Sequence, residues 1–176
     1  MSANIEAGSA ASPDLRPAVT SAAAASLLGF ESGGEYWLID LADAGEVLPV
    51  PVLSPVPLTK AWFCGIANIR GTLYGVSDLA AFHGFEPTPV KAQSRLLLAG
   101  ARAGSHQGSN TGSNMALLMA ATQGLKVLAK LEAMPATHDP TQSWRGAAYR
   151  DGEGRTWTRL LLPALFGAPR FLDIAA

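Results

Sequence analysis

The sequence predicts an all-β protein made of two similar small units with short helices. Three observations favour this class: many short apolar runs, glycine- and proline-containing turns between them, and a weak internal repeat of a hairpin followed by a short helix. Few segments of the 176 residues show helical periodicity. This combination is typical of small barrels and sandwiches.

The stretch from Gly65 to Gly84 predicts a β-hairpin that runs into a short helix. Its expected elements are strands at 66–69 and 73–76, a chain reversal at 70–72 and a helix at 79–83. Glycine reaches a positive φ without a steric clash, which suits the reversal. Ser77 and Asp78 are good N-cap residues, and Gly84 is placed to end the helix.

A second stretch, from Gly146 to Gly167, follows the same plan. Strands are expected at 147–150 and 155–158, with a turn at 151–154 and a helix at 160–166. When the two stretches are aligned on their closing glycines, Leu79 matches Leu162, Ala81 matches Ala164 and Phe82 matches Leu165. The pattern indicates an internal duplication, and chance similarity between two hairpins is the alternative interpretation.

Further strands are predicted on both sides of these stretches. They are 28–31 and 35–41, joined at Gly33-Gly34; 94–101; a hairpin of 114–121 with 125–130, turning at 122–124; and a terminal strand at 170–174. The 35–41 strand is apolar on both faces, so we expect it to be buried on both sides. In residues 48–57 prolines alternate with aliphatic residues, which predicts an edge strand or an extended surface segment. An apolar edge needs a cover, either a partner or the protein's own barrel.

Composition and charge limit the possible functions. The net charge of −1 provides no electrostatic footprint for nucleic acid, and no apolar run approaches the ~18 residues of a membrane span. The single cysteine, Cys64, permits no internal disulfide, which fits a reducing compartment. We therefore expect a cytoplasmic protein without a signal peptide, nucleic-acid binding or direct membrane insertion. Residues 1–24, rich in alanine, serine and proline, are expected to form a disordered tail ahead of a domain at 25–174.

No group of residues in the sequence indicates a catalytic site, a metal site or a cofactor. The histidines lack metal-ligand spacing and are expected at the surface: His83, His106 and His138. Cys64 is expected to be a small buried apolar residue, and Trp144 and Trp157 are expected to pack in the core. The 104–113 loop lacks the residues that complete a phosphate loop, and 151–154 lacks the later ligands of a calcium loop.

The residues that could serve a binding function lie around the predicted tip of the first hairpin. Asn68 and Arg70 are polar residues in an otherwise apolar hairpin. Arg70 could be a solvated turn residue, could pair with a carboxylate of its own chain, or could anchor a protein interface, where arginine is enriched. Asp78 is better explained as a helix cap than as a contact residue.

This region resembles the CheW-like family of chemotaxis coupling proteins. The resemblance rests on Ile66-Ala67-Asn68-Ile69-Arg70-Gly71 and Leu73-Tyr74-Gly75-Val76-Ser77-Asp78-Leu79, preceded by Gly45-Glu46-Val47-Leu48 and Pro55-Val56-Pro57. Gly75 stands where the family has proline, and Ala80 stands where it has a basic residue. These departures, the 104–113 loop and the ending Phe171-Leu172-Asp173-Ile174 are more similar to the PilI-type coupling proteins of type IV pilus chemosensory systems.

The resemblance implies two five-stranded SH3-like β-barrels packed with a pseudo-twofold axis. The first barrel would span about 28–90, with possible strand exchange, and the second about 91–174. The resemblance also implies a non-catalytic adaptor that couples the cytoplasmic tip of a methyl-accepting chemoreceptor to a CheA-like histidine kinase. Such an adaptor would be recruited to membrane-associated receptor arrays and would control twitching motility.

By position, the resemblance assigns partner contact to one set of residues: Asn68, Arg70, Gly71, Glu46, Val47 and Leu48. Leu73, Val76 and Leu79 would support a groove between the barrels, in which the receptor would lie. Two alternatives stay open. One is a small-ligand-binding or enzymatic β-barrel, which needs a deep pocket with converging polar groups. The other is a CheW-like domain that acts only as a competitor or spacer in an array.

Overall fold

The computed structural model describes residues 26–100, 114–135 and 139–176. These residues form twelve strands: β1 Ser26–Ser32, β2 Glu35–Asp40, β3 Ala44–Pro49, β4 Leu53–Ser54, β5 Phe63–Ile69, β6 Thr72–Asp78, β7 Arg95–Ala99, β8 Met115–Met119, β9 Ala121–Val127, β10 Glu132–Ala133, β11 Arg145–Arg150 and β12 Thr156–Leu160. They also form three short α-helices, α1 Leu79–Phe82, α2 Leu162–Phe166 and α3 Pro169–Leu172, and 3₁₀ turns at Leu128–Lys130 and Pro140–Gln142. The predicted N-terminal tail, the 104–113 loop, His106 and His138 lie outside the described residues.

The strands form two six-stranded sheets with the same arrangement. Sheet 1 has the order β3-β7-β8-β6-β5-β4, and sheet 2 has the order β9-β1-β2-β12-β11-β10. In these orders, each sheet has one parallel pair at its centre, β8–β6 or β2–β12, and ends in a two-residue strand, β4 or β10. The predicted all-β class with two related units is therefore confirmed.

The two halves of the chain exchange strands. In the first half, β1 and β2 join sheet 2, whereas β3 to β6 join sheet 1. In the second half, β7 and β8 join sheet 1, whereas β9 to β12 join sheet 2. Each sheet therefore takes strands from both sides of the boundary expected near residue 90.

Both predicted hairpin–helix stretches are confirmed. β5 pairs with β6, and Arg70 and Gly71 connect them with φ values of 51° and 84°. Asp78 ends β6 and caps α1, because a carboxylate oxygen accepts the Ala80 N–H at 3.0 Å. In the second stretch, β11 pairs with β12 and leads towards α2. The predicted Gly33-Gly34 turn between β1 and β2 is confirmed as well.

Two predicted elements are wrong. β8 and β9 do not form the hairpin expected at 114–130, because β8 pairs with β6 and β7 while β9 pairs with β1. Gly124, with a φ of 72°, lies within β9 where its register with β1 shifts, so the residues predicted as a turn form a bulge. The terminal strand expected at 170–174 is replaced by α3, which begins at Pro169, a favourable first residue of a helix.

The proline-rich segment, predicted to be an edge strand or an extended surface segment, contributes to both edges of sheet 1. β3 ends at Pro49 at one edge, and β4 covers Leu53–Ser54 at the other. Proline has no N–H to donate to a neighbouring strand, so an edge is where a sheet tolerates it.

The largest apolar cluster fills the space between the two sheets. Trp37 from sheet 2, Leu117 from sheet 1 and Phe82 from α1 all belong to it, together with Trp144. Leu38 points to the opposite face of sheet 2. There it belongs to a smaller apolar cluster with Leu27 and Trp157. β2 is thus buried on both faces, which confirms the prediction for that strand. No helix in the described part of the chain is long and apolar enough to cross a membrane.

Candidate protein-binding site

The tip of the β5–β6 hairpin is an exposed, tight turn. Arg70 and Gly71 both have a positive φ, which matches the twist of the flanking strands. Asn68 Oδ1 accepts the Gly71 N–H at 2.9 Å and so stabilises the turn from the side. Three of the predicted contact residues are therefore exposed together at one point of the surface.

Arg70 is paired with Glu46 on β3. Its Nη1 and Nη2 atoms donate to the two carboxylate oxygens of Glu46 at 2.7 and 2.6 Å. This bidentate geometry orients the guanidinium. The hydrogen bond from Arg70 lowers the pKa of Glu46, and the bond to Glu46 raises the pKa of Arg70. The structure thus joins two contact segments that are 24 residues apart in sequence.

The Arg70–Glu46 pair remains open to solvent. The side chains of Arg70 and Glu46 are 76% and 41% exposed. Exposed ion pairs contribute little to stability, so the guanidinium can turn to a partner at little cost to the fold. Val47, beside Glu46, is also exposed, whereas Leu48 is half-buried against the interior of sheet 1.

The other predicted residues divide between surface and core. Leu73, on β6 close to the tip, is 57% exposed. Val76 lies inside sheet 1, and Leu79 lies in the cluster between the sheets, both with no exposed surface. Val76 and Leu79 are therefore too deeply buried to contact a partner directly.

An apolar groove runs from Leu73 to the C-terminal segment. The Leu73 groove has a volume of about 340 Å³, and its apolar lining includes Phe63, Ile66, Leu73, Met115, Leu172 and Ile174. Phe63, Met115 and Ile174 also pack against the central cluster. The expectation of an open seam between the barrels needs correction, because side chains of the protein itself fill that space. The groove lies at the edge of the filled seam.

Sequence reasoning missed five of the six apolar residues named above, which are Phe63, Ile66, Met115, Leu172 and Ile174. Ile66 and Leu73 are on the face of sheet 1 opposite its interior, since Ala67 and Val76 point into the interior cluster. Strand alternation could therefore have placed Ile66 beside Leu73. No local signal could have placed the C-terminal residues there.

Sheet 2 has an equivalent position, which the internal repeat identifies. The offset that matches Leu79 with Leu162 also matches Leu73 with Thr156. The strand pairings agree with this match. Gly75, the next outward residue of β6, pairs with Ile66 of β5, and Thr158, at the equivalent position of β12, pairs with Ala148 of β11.

The groove at this equivalent position contains a charged pair. It has a volume of about 690 Å³, and Glu35 and Arg145 line it together with Thr156, Thr158 and the apolar residues Tyr36, Met134, Pro135 and Ala148. Arg145 donates to both carboxylate oxygens of Glu35 at 3.3 Å. Among the residues that the structure describes, the lining of the Leu73 groove contains no charged residue, so the two equivalent grooves differ in charge.

Comparison with known proteins identifies the family. The family described as CheW-like domain matches residues 26–170. The chain belongs to the CheW-like domain family. This CheW-like domain is similar to Protein PilI of Pseudomonas aeruginosa, with 38% identity over 71 residues, which is 40% of each chain. The match therefore spans less than half the length of that relative.

A solved structure shows the same fold as this CheW-like domain. It is the crystal structure of the scaffolding protein TtCheW from Thermoanaerobacter tengcongensis, with a TM-score of 0.64 at 18% identity. The match covers 84% of this chain and 95% of that chain. The resemblance indicated by the sequence motifs is confirmed, and it supports a scaffold or coupling class of function.

The two departures from the family motif have structural explanations in this CheW-like domain. A Cβ at position 75 would lie 3.3 Å from Phe63 Cε2, which is closer than an ordinary contact. Both residues line the Leu73 groove. Ala80 is buried against Gly33, which leaves no room for a long basic side chain.

Cys64 and His83, the described side chains with the greatest potential for reaction, are both partly buried. Burial raises the pKa of the Cys64 thiol to about 12, with a further contribution from the charge of Asp78, so this thiol is a poor nucleophile at neutral pH. His83, expected at the surface, is instead half-buried and stacked on Trp37, and burial lowers its pKa. Within residues 26–100, 114–135 and 139–176, no three His, Cys, Asp or Glu side chains are placed to hold a metal ion.

Proposed function

We propose that this chain is a non-catalytic adaptor that couples a methyl-accepting chemoreceptor to a CheA-like histidine kinase. The similarity to PilI favours a chemosensory system that controls type IV pili and twitching motility. The protein would act in the cytoplasm and be recruited to receptor arrays at the membrane. The observation that carries the proposal is the Leu73 groove, an exposed apolar surface on the same sheet as the Arg70–Glu46 pair.

The Leu73 groove suits an amphipathic helix of the receptor tip. Such a helix binds through apolar anchors on one face, and polar residues beside the groove set its register. Leu73 and Leu172 stand on opposite walls and are 57% and 53% exposed. Large apolar side chains that are exposed together mark interaction surfaces. The volume of about 340 Å³ is sufficient for a few anchoring side chains rather than a whole helix.

Exposed strand edges would meet the kinase. β3 and β4 are the edges of sheet 1, and β9 and β10 are the edges of sheet 2. Leu125 on β9 and Val47 on β3 are exposed apolar residues on these edges. Strand edges with apolar neighbours suit contact with another β domain. Each contact would be small, so an array would gain its strength from many contacts acting together.

A matched pair of substitutions tests the receptor contact. Leu73→Arg introduces a charge into the apolar groove, whereas Thr156→Arg introduces the same side chain at the equivalent polar position in sheet 2. Binding of the full chain to a receptor cytoplasmic tip would be measured by isothermal titration calorimetry. We expect Leu73→Arg to weaken receptor binding about tenfold or more, which is ~1.4 kcal/mol, and Thr156→Arg to bind as the wild type does. Equal receptor binding by the two variants would contradict the proposal.

Arg70→Ala tests the predicted anchor. Because Arg70 is exposed at the hairpin tip, we expect an unchanged circular dichroism spectrum and weaker recruitment by the receptor in a pull-down. Unchanged recruitment would remove Arg70 from the binding site.

Two further measurements separate this proposal from the alternatives left open by the sequence. Thermal unfolding with a panel of metabolites should show no ligand-specific rise in melting temperature, whereas a small-ligand protein would show one. Co-purification with a CheA-like kinase should succeed for an adaptor. A domain that binds receptor but never kinase would be a competitor or spacer.

A further inference from the structure

The Leu73 groove has two walls of different origin. One wall is the outer face of sheet 1, with Leu73 and Ile66, and the other is the C-terminal segment, with Leu172 and Ile174. The segment follows directly from Phe171, which is fully buried. Without the C-terminal wall, sheet 1 would offer a partner a flat apolar face.

Phe171 anchors the start of the C-terminal wall. Its ring stacks on Trp62 with centroids 5.2 Å apart and meets the edge of Phe82 at 5.0 Å. Phe82 belongs to α1, so the wall is attached to the central cluster through aromatic contacts. Leu172, the next residue, is 53% exposed and faces the groove.

Beyond Leu172 the wall is attached to the segment at 58–60 through polar contacts. Lys60 Nζ donates to the carbonyl and a carboxylate oxygen of Asp173, both at 2.7 Å. The Lys60 N–H donates to the Ile174 carbonyl at 2.9 Å, and the Ala176 N–H donates to the Leu58 carbonyl at 3.0 Å. These contacts determine how far Ile174 stands from sheet 1.

The duplicated fold provides an internal comparison. The equivalent groove in sheet 2 carries Thr156 and Arg145, and the C-terminal segment forms no part of its lining. The groove with the added wall is also the one whose described lining contains no charged side chain. Both features favour a partner with apolar side chains at this site.

We propose that Leu172 and Ile174 are specificity-determining residues, which contact the apolar stripe of the receptor helix from the side opposite Leu73. The inference rests on the proposed function of this groove. A helix held between two walls buries Leu172, so its anchors must fit the width between the walls. The Lys60–Asp173 pair is a positioning pair, because it acts on the partner through the placement of Ile174.

The test uses the full chain and a fluorescently labelled receptor-tip fragment, with binding followed by anisotropy. Leu172→Ala should bind about fivefold more weakly, because roughly half a leucine side chain loses its burial in the complex. Leu41→Ala is the matched control, since Leu41 is 41% exposed outside the groove and the variant should bind as the wild type does. Thermal unfolding of both variants checks that the fold is retained.

A second measurement distinguishes contact from a general effect. Shortening one leucine of the receptor fragment to alanine should weaken binding to the wild type but have less effect on Leu172→Ala, if the two side chains meet. Asp173→Asn should alter the preference among such fragments, because it weakens the pair that positions Ile174.

The outcomes separate the two proposals. If Leu73→Arg abolishes receptor binding while Leu172→Ala and Asp173→Asn behave as the wild type, the C-terminal wall has no role and the proposed function stands. If Leu73→Arg also behaves as the wild type, the groove is not the receptor site and both proposals fail.

Discussion

Asp78→Ala should destabilise the protein strongly, although Asp78 lies within the motif that marks the binding region. The side chain is buried, and its Oδ1 atom accepts from the Ala80 N–H at 3.0 Å and from Thr88 Oγ1 at 2.8 Å. Its Oδ2 atom accepts from the Thr88 N–H at 2.6 Å. One carboxylate thus caps α1 and holds the loop that follows it.

The size of the effect follows from these three bonds. Loss of an N-cap costs about 1 kcal/mol. Loss of the bonds to Thr88 leaves a buried N–H without an acceptor, which costs about 1–3 kcal/mol. We expect a total of about 3 kcal/mol for Asp78→Ala, or a fall of about 10 °C in melting temperature for a domain of this size. Urea unfolding followed by tryptophan fluorescence measures the free energy directly.

Thr88→Val is the control, because it removes the hydroxyl donor and keeps the backbone N–H bond to Asp78. It should cost about 1 kcal/mol. Asp78→Asn should resemble Asp78→Ala more than the wild type, since an amide has only one acceptor oxygen for the two backbone donors. A loss below about 1 kcal/mol for Asp78→Ala, or one equal to that of Thr88→Val, would refute this reasoning.

Three further predictions concern stability and reactivity. Leu38→Ala should cost about 2–5 kcal/mol in urea unfolding, because Leu38 is fully buried inside sheet 2; a loss below about 1 kcal/mol would contradict that burial. Cys64 should react slowly with a thiol reagent at pH 8 and rapidly in denaturant, since its pKa is raised to about 12 in the fold; equal rates would show an accessible thiolate. The hydrogen bond from Trp157 lowers the pKa of Asp151 below its ordinary 3.8, so the stability it provides is present above about pH 4 and lost as the pH falls through the folded-state pKa. Asp151→Asn should therefore unfold with a flatter pH dependence in that range, and identical slopes for the two proteins would exclude Asp151 as the cause.

Local turn chemistry explains why the hairpins could be predicted from the sequence. Arg70-Gly71 and Gly33-Gly34 require a positive φ, and Asp78 is a good cap, so each of these features depends on near neighbours in the chain. The pairing of whole strands depends on distant partners. The Ala120 N–H donates to the Glu31 carbonyl, so the chain crosses from sheet 1 to sheet 2 within the stretch expected to form one strand at 114–121.

The candidate site also divides into a part that depends on near neighbours in the chain and a part that depends on distant ones. The hairpin-tip residues Asn68 and Arg70 stand in one motif, and the structure places Glu46 against Arg70. Phe63 and Leu172 line the same groove although more than a hundred residues separate them in the sequence. No periodicity in the sequence relates them, because packing on the central cluster brings them together.

The central claim is that the Leu73 groove receives the receptor, and isoleucine methyl groups offer the most direct test. The chain has five isoleucines, of which Ile66 and Ile174 line the groove, whereas Ile39 and Ile69 are buried in the core. A methyl-labelled sample titrated with the receptor tip should show shifts for Ile66 and Ile174, while Ile39 and Ile69 stay in place. Binding that leaves the Ile66 and Ile174 signals unchanged would contradict the claim.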